Sequence, residues 1–198
     1  MHLRCIHPPQ VDEGSELSYR LIMNIRLAQE TDLDSILKVI ETSFSDEENK
    51  VILNLVQELS REVTSPSIKS LVAEVDNQVI GYVSFSPIFL KTDSSIVGYI
   101  LAPLAVSPEH QKHGVGSNLI NAGIDMLTKD GVGVLLVYGD PAYYGRFGFN
   151  EGIGRSFVPP YPLQYPFGWT GMMLNDTTVP EHSIQFQCVS ALSKPDLW

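Results

Sequence analysis

The chain has 198 residues, a length typical of one compact domain with room for a short tail. Lys and Arg count 13 against 23 Asp and Glu, a formal net charge of −10. This sign excludes a non-specific binder of nucleic acid or of anionic membrane surfaces, because both need a basic surface. Apolar residues make up 43%, and no apolar run approaches the roughly 18 residues that span a bilayer. We therefore expect a folded cytoplasmic protein.

The N-terminal segment differs in pattern from the rest of the chain. Residues 1–22 show neither the period of a strand nor that of a helix, whereas a regular pattern begins at Met23. We therefore predict an irregular tail over residues 1–22 and a single domain over residues 23–198.

Apolar periodicity predicts the elements of that domain in chain order. Two helices follow Thr31, as an N-cap, and Ser45, which has capping-box spacing with Glu48. A third helix covers residues 116–130 and ends before Gly131. The predicted strands are residues 23–28, 70–75, 79–90, 96–106, 132–138, 171–174 and 184–190. Since 70–75 and 79–90 form a hairpin and a helix separates two later strands, the fold class is α/β with a parallel crossover.

Two glycines separate the strand at 96–106 from the helix at 116–130. Gly114 and Gly116, around Val115, let backbone N–H groups turn toward one point, and the helix start adds partial positive charge. The spacing is neither that of a Walker loop nor that of a dinucleotide fingerprint. We therefore expect anion binding without nucleotide hydrolysis or nicotinamide chemistry.

Two motifs around this crossover resemble the GNAT N-acetyltransferase superfamily. Residues 111–116, QKHGVG, fill its Q/R-x-x-G-x-G/A pattern, and GDPAYYGRFGF at 139–149 is similar to its Y-x-x-x-G-F element. Together with LAPLAV at 101–106, they are most similar to the YhbS-like branch. The resemblance covers residues 23–149 and fits the last 49 residues poorly. It implies a mixed, mostly antiparallel sheet with a parallel β-α-β crossover and flanking helices.

The resemblance also implies an activity and a set of contacts. The chain is expected to be an acetyl-CoA-dependent N-acetyltransferase that moves an acetyl group to an amine by direct attack in a ternary complex. The pyrophosphate would lie on the amides of residues 111–117 and the pantetheine along residues 104–106. The implied cofactor-binding residues are Leu104, Ala105, Val106, Gln111, Lys112, His113, Gly114, Val115, Gly116, Ser117 and Tyr143.

Pro103 gives the pantetheine placement independent support. A proline removes a hydrogen-bond donor from a strand, which is tolerated where the strand bulges or separates from its neighbour. Such a gap would leave peptide groups that the amides of pantetheine can satisfy. The alternative is an edge strand that merely tolerates the proline.

Tyr144 occupies the position of the family's general acid near the cofactor sulfur. Tyr143 is its neighbour, and which of the two faces the thioester stays open, as does a pure packing role beside Phe147 and Phe149. One departure is visible, because Val137 stands where relatives often have an asparagine that contacts pantetheine.

Candidates for a general base are few. Glu47 and Glu48 are explained by helix N-terminal charge, and Asp140 by a turn before proline. No base is therefore assigned.

Metal and cysteine chemistry also lack support in the sequence. His110 and His113 beside one glutamate fall short of a metal site, so no metal is predicted. Cys188 has no paired histidine in its sequence context, which favours direct transfer over an acyl-cysteine intermediate.

The acceptor and two other function classes stay open. A non-catalytic acyl-CoA sensor would need the glycine loop but not Tyr144, and the aromatic segment 157–169 suggests a protein-interaction module. Residues 30–62 hold nine acids and three bases, and the resemblance places them toward the acceptor, where they would concentrate a cationic amine. A solubilising acidic surface explains them equally well. A homodimer is compatible with the sequence.

Overall fold

The computed structural model describes residues 23–91, 96–176 and 178–198, so the predicted tail lies outside the described residues. The strands are β1 (Asn24–Leu27), β2 (Lys69–Val75), β3 (Gln78–Leu90), β4 (Ile96–Val106), β5 (Val134–Tyr138), β6 (Phe157–Val158), β7 (Trp169–Met173) and β8 (Ile184–Cys188). The helices are α1 (Leu33–Ser43), α2 (Asp46–Arg61), α3 (Val115–Lys129), α4 (Pro141–Tyr144) and α5 (Glu151–Arg155). Every strand and helix predicted up to residue 138 is present, with ends shifted by one or two residues.

The start of α1 differs from the prediction. Thr31 lies inside a 3-10 turn at Glu30–Asp32 and is not an N-cap. Both carboxylate oxygens of Asp32 accept hydrogen bonds from the Arg26 guanidinium, at 2.6 and 2.9 Å, and one also accepts the Gln29 N–H. These bonds fix the turn, so the helix begins after Asp32.

The predicted hairpin is closed by a two-residue turn. Asp76 and Asn77 have positive φ angles of 49° and 62°, and Val75 lies opposite Gln78 in the register. Two left-handed residues give the turn the twist that antiparallel strands need, and Asp and Asn tolerate this conformation better than most residues.

The strands form one mixed sheet in the order β1-β2-β3-β4-β5-β7, with β8 beside the end of β3 and β6 beside β8. Neighbours along the main order are antiparallel except β4 and β5, which α3 connects as a parallel crossover. The prediction of a mostly antiparallel sheet with one β-α-β crossover is confirmed.

Helices cover both faces of the sheet. On one face α3 packs on β2, β3 and β4, and it lies so close that a Cβ at Gly123 would be 2.0 Å from the Phe85 ring. On the other face α1 and α2 pack against Val72, Tyr82 and Ala105. None of the helices in the described ranges is long and apolar enough to cross a membrane.

The last 49 residues complete the second face. Helix α5 was not predicted, and β7 and β8 start or end up to two residues from their predicted bounds. Phe157 and Trp169 are buried in one cluster with Trp198, whose ring centroid lies 5.6 Å from that of Trp169. Phe157 and Trp169, at the two ends of the aromatic segment 157–169, therefore belong to the core, whereas Val158 and Phe167 between them are exposed.

Candidate active site

A gap opens between β4 and β5. The two strands pair only from Tyr99–Leu135 to Leu101–Val137, and among the described residues no strand replaces β5 beside the remainder of β4. On its other edge β4 bulges, since its register with β3 steps from Val83–Leu104 to Phe85–Leu101. The extra residues include Pro103, as the sequence predicts.

The backbone of β4 presents its polar groups to this gap at alternate residues. The Ser107 N–H donates to the Ile80 carbonyl of β3, so by antiparallel alternation Ala105 also faces β3. The peptide groups of Leu104 and Val106 then face the gap. Ala105, expected beside them on the pantetheine, turns its own peptide groups away.

The Val106 carbonyl is held by two side chains. It accepts hydrogen bonds from Ser43 Oγ at the end of α1, at 2.9 Å, and from Gln111 Nε2, at 3.0 Å. Gln111 therefore uses its side chain to tie the glycine loop to β4. The Leu104 peptide and the Val106 N–H are left to face a ligand.

The glycine loop lies at the open end of the gap. Lys112 and Gly114 have positive φ angles of 69° and 77°, and Gly114 is the N-cap of α3. Left-handed residues in a tight turn direct backbone N–H groups toward a common point, and the 15-residue helix adds its positive end there. The geometry of this loop suits an anion.

Gly116 joins the loop to β4 and to Tyr143. A Cβ at this position would lie 2.8 Å from Tyr143 Oη and within 3.8 Å of the Leu104 and Val106 side chains. The structure thus brings together four of the residues that the sequence assigned to the cofactor. The absence of a side chain at Gly116 leaves room at their meeting point.

The two tyrosines of α4 mark different positions along the gap. Their rings meet edge to face at 5.2 Å, with Tyr143 directed to Gly116. Tyr144 is fully buried, and its ring lies against Gly139, where a Cβ would be 2.6 Å from a ring carbon. Because Gly139 directly follows β5, Tyr144 lies at the closed end of the gap and Tyr143 nearer the glycine loop.

Arg146 contacts this pair and was missed in the sequence. Its guanidinium carbon lies 4.6 Å from the Tyr143 ring centroid, and its Nε donates to the Tyr143 carbonyl at 3.2 Å. An exposed cation–π contact contributes roughly 0.5–1 kcal/mol. The three-residue spacing on a short helix is the signal that indicates such a pair.

This geometry matches a known family. Residues 24–152, about two thirds of the chain, match the family described as "Acetyltransferase (GNAT) domain". The chain belongs to the GNAT acetyltransferase family. It is an acetyltransferase, and acetyl-CoA is its co-substrate.

Two relatives from Escherichia coli K12 carry the names "Uncharacterized N-acetyltransferase YjhQ" and "YhbS". YjhQ is 34% identical over 129 residues, which are 64% of this chain and 71% of YjhQ. YhbS is 36% identical over 130 residues, 65% of this chain and 74% of YhbS. The resemblance to the YhbS-like branch is thereby confirmed.

Two solved structures extend the comparison beyond the motifs. The E. coli YhbS complex with CoA superposes with a TM-score of 0.72 at 25% identity, over 96% of this chain and 97% of that one. A GNAT acetyltransferase from Brucella melitensis in complex with acetyl-CoA gives 0.62 at 26% identity, over 86% and 97%. The similarity in fold therefore includes the last 49 residues, where the sequence resemblance is poor.

Several acids of the acetyltransferase's acidic segment 30–62 have structural partners. Glu58 pairs with Lys194 at 2.5 Å, and this bond lowers the pKa of Glu58. Glu62 accepts the backbone N–H groups of Ser190 and Ala191 at 2.5 and 2.9 Å. Part of the negative charge therefore holds the C-terminal segment on α2.

The remaining candidate groups of the acetyltransferase have local explanations. The Asp140 carboxylate caps α4 by accepting the Ala142 N–H at 2.9 Å, and Glu48 accepts a bond from Ser45 Oγ at 2.9 Å. Burial raises the pKa of the Cys188 thiol to about 12. In the described ranges, no three His, Cys, Asp or Glu side chains lie together as a metal site.

Proposed function

We propose that the protein transfers the acetyl group of acetyl-CoA to an amine by direct attack in a ternary complex. The gap between β4 and β5 carries this proposal, because it joins an anion-binding loop to a buried phenol. Extended pantetheine has two amides, and the Leu104 peptide and the Val106 N–H face it as an adjacent strand would. The pyrophosphate then lies at the N–H groups of residues 111–117.

The local charge of the loop supports binding of a polyanion by an acidic protein. Residues 107–117 carry one acid, Glu109, against Lys112 and two histidines. Backbone N–H groups and the start of α3 add positive potential without a formal charge. The cofactor's phosphates thus meet a favourable site although the net charge of the chain is −10.

Tyr144 is proposed as the hydrogen-bond donor to the leaving thiolate. The amine nitrogen attacks the thioester carbon, and the C–S bond breaks as the tetrahedral intermediate collapses. The pKa of a thiol is about 8.5 and that of a phenol about 10, so full proton transfer from the phenol to the thiolate costs about 2 kcal/mol if neither pKa shifts. Tyr144 therefore first donates a hydrogen bond to the thiolate, and the proton follows from Tyr144 or water.

The amine must lose a proton before it attacks. An alkylamine whose ammonium form has a pKa of about 10.4 is neutral at pH 7 in only about one molecule in 2,500. Since Asp140 caps α4 and Glu48 accepts the Ser45 hydroxyl, we assign this proton to water in the site. The free acids of residues 30–62 would concentrate the cationic form, so KM for the amine should rise with salt.

The position of Cys188 supports direct transfer. It lies on β8 beside Ile88 of β3, away from the edge of β4 that borders the gap. A thiol whose pKa is about 12 holds little thiolate at neutral pH, so it is a poor nucleophile for an acyl-enzyme route. We place the reaction in the cytoplasm, where acetyl-CoA is available.

Two single substitutions test the proposal. Tyr144→Phe should lower kcat about 100-fold with an unchanged Kd for acetyl-CoA, because only the thiolate's partner is lost. Tyr143→Phe should raise KM for acetyl-CoA a few-fold and leave kcat nearly unchanged. Both are measured by thiol release with a panel of primary amines and by calorimetric titration of acetyl-CoA.

The opposite outcomes are equally specific. If Tyr143→Phe loses kcat and Tyr144→Phe does not, the acid is Tyr143. If acetyl-CoA binds tightly and no amine releases thiol from the unmodified protein, the acyl-CoA sensor replaces the proposed transfer reaction.

A further inference from the structure

The loop between β6 and β7, residues 159–168, packs on the end of β5. The Gly139 N–H donates to the Gly168 carbonyl at 2.9 Å, and the Tyr165 N–H donates to Tyr138 Oη at 2.9 Å. The contact is close, since a Cβ at Gly168 would lie 2.9 Å from the Gly139 carbonyl oxygen. Because Gly139 also lies against the Tyr144 ring, this loop adjoins the gap at the end where Tyr144 lies.

The loop belongs to the face opposite the cofactor loop. Tyr143 and the first residues of α3 share one apolar cluster with Leu104. A second cluster, on the other face, contains Tyr138, Trp169 and Ala102. Three side chains of the loop are partly buried against it: Tyr161, Leu163 and Tyr165. If acetyl-CoA fills the gap from the α3 side, the amine must approach past this loop.

The surface at this approach is aromatic and uncharged. Phe167 is 58% exposed, and its ring meets Tyr165 edge to face at 5.7 Å. Between Arg155 and Asp176 the sequence has no Lys, Arg, His, Asp or Glu. The free energy falls when an apolar group covers such a surface. The surface also offers no cation to an acceptor's carboxylate or phosphate.

We infer that the acceptor is a primary amine attached to an uncharged aromatic or branched aliphatic group, which Phe167 and Tyr165 hold beside the gap. This inference rests on the proposed transfer reaction and specifies its acceptor class. The amine reaches the thioester while its apolar group lies on the exposed Phe167 ring. The ammonium form of the amine is also attracted to aromatic faces, so this surface can bind the amine before the amine loses its proton.

Matched amines and variants test this inference. 2-Phenylethylamine and 3-methylbutylamine should exceed ethanolamine and β-alanine at least tenfold in kcat/KM. Phe167→Ser should lower kcat/KM for the first two about tenfold, through KM, and leave ethanolamine unchanged. Phe167→Tyr should restore the preference. Leu27→Ser, at an equally exposed apolar residue on β1, is the matched control and should change nothing.

Three outcomes would overturn it. The first is equal kcat/KM for all four amines, and the second is an unchanged preference in Phe167→Ser. The third is a selective effect of Lys50→Gln, which would place the acceptor in the cavity of about 450 Å³ between α2 and residues 191–197. Turnover of polar amines alone contradicts only the acceptor class, whereas no turnover of any amine with acetyl-CoA bound contradicts the proposed function itself.

Discussion

The two sides of the gap are built in different ways. The cofactor side, from β4 to α4, is one contiguous stretch in which the glycine loop, α3 and both tyrosines follow each other in sequence. The side proposed for the acceptor is assembled from distant segments, through Glu62 with Ser190, Glu58 with Lys194 and Trp169 with Trp198. A site made of local motifs is visible in a sequence, and one made of long-range contacts is not.

Trp198 gives the sharpest test of the side that is assembled from distant segments. Trp198→Ala should lower the free energy of unfolding by about 3–5 kcal/mol, because it empties a buried site against Trp169 and removes the bond from its Nε1 to the Leu192 carbonyl. Urea titration measures this loss. Trp198→Phe, which keeps a ring there, should lose about half as much.

If the two sides are independent, folded Trp198→Ala protein retains its Kd for acetyl-CoA. A large increase in that Kd, beyond the effect of the unfolded fraction, would contradict the division into two sides.

Gly116 tests the cofactor side, which is one contiguous stretch of the chain. Gly116→Val should weaken acetyl-CoA binding about 100-fold, because its side chain would enter the space shared by Tyr143 Oη, Leu104 and Val106. Gly145→Ala is the matched control, since no atom lies within 4 Å of a Cβ at that glycine and its φ is −56°. Calorimetric titration distinguishes them, and equal Kd values would show that the meeting point is not part of the cofactor site.

Asp32 lies outside both sides and should have the smallest effect. The hydrogen bonds from Arg26 lower the pKa of its carboxyl, so the pair stabilises fully above the unfolded-state pKa of about 3.9, and this contribution is lost as the pH falls through the folded-state pKa. Asp32→Asn should cost about 2 kcal/mol at pH 7. Urea titrations should show that difference shrinking as the pH falls below about 4, with unchanged turnover at pH 7, and a constant difference would refute the assignment.

The residues that the sequence located best are those whose structure depends on near neighbours. The hairpin, α3 with Gly131 after it and the gap at Pro103 follow from turn chemistry, periodicity and a missing N–H. The position of Tyr144 against Gly139 was left open, because a four-residue helix has no periodicity from which its buried face can be read.

Predictions failed where a remote partner decides the structure. Thr31 lost its N-cap role because Arg26 binds Asp32 across the end of β1. The composition of the aromatic segment 157–169 likewise does not show that Trp198, at the other end of the C-terminal segment, packs against Trp169. Val158 and Phe167 are still 38% and 58% exposed in that segment.

The carbonyl of Val106 has a consequence for how the two substrates influence each other. It accepts bonds from Ser43 at the end of α1 and from Gln111 beside the glycine loop, so one backbone oxygen connects α1, β4 and that loop. A ligand that shifts α1 therefore changes the energy of the loop. If the proposed amine shifts α1 when it binds, thermodynamic reciprocity requires acetyl-CoA to alter the affinity for the amine by the factor with which the amine alters that for acetyl-CoA.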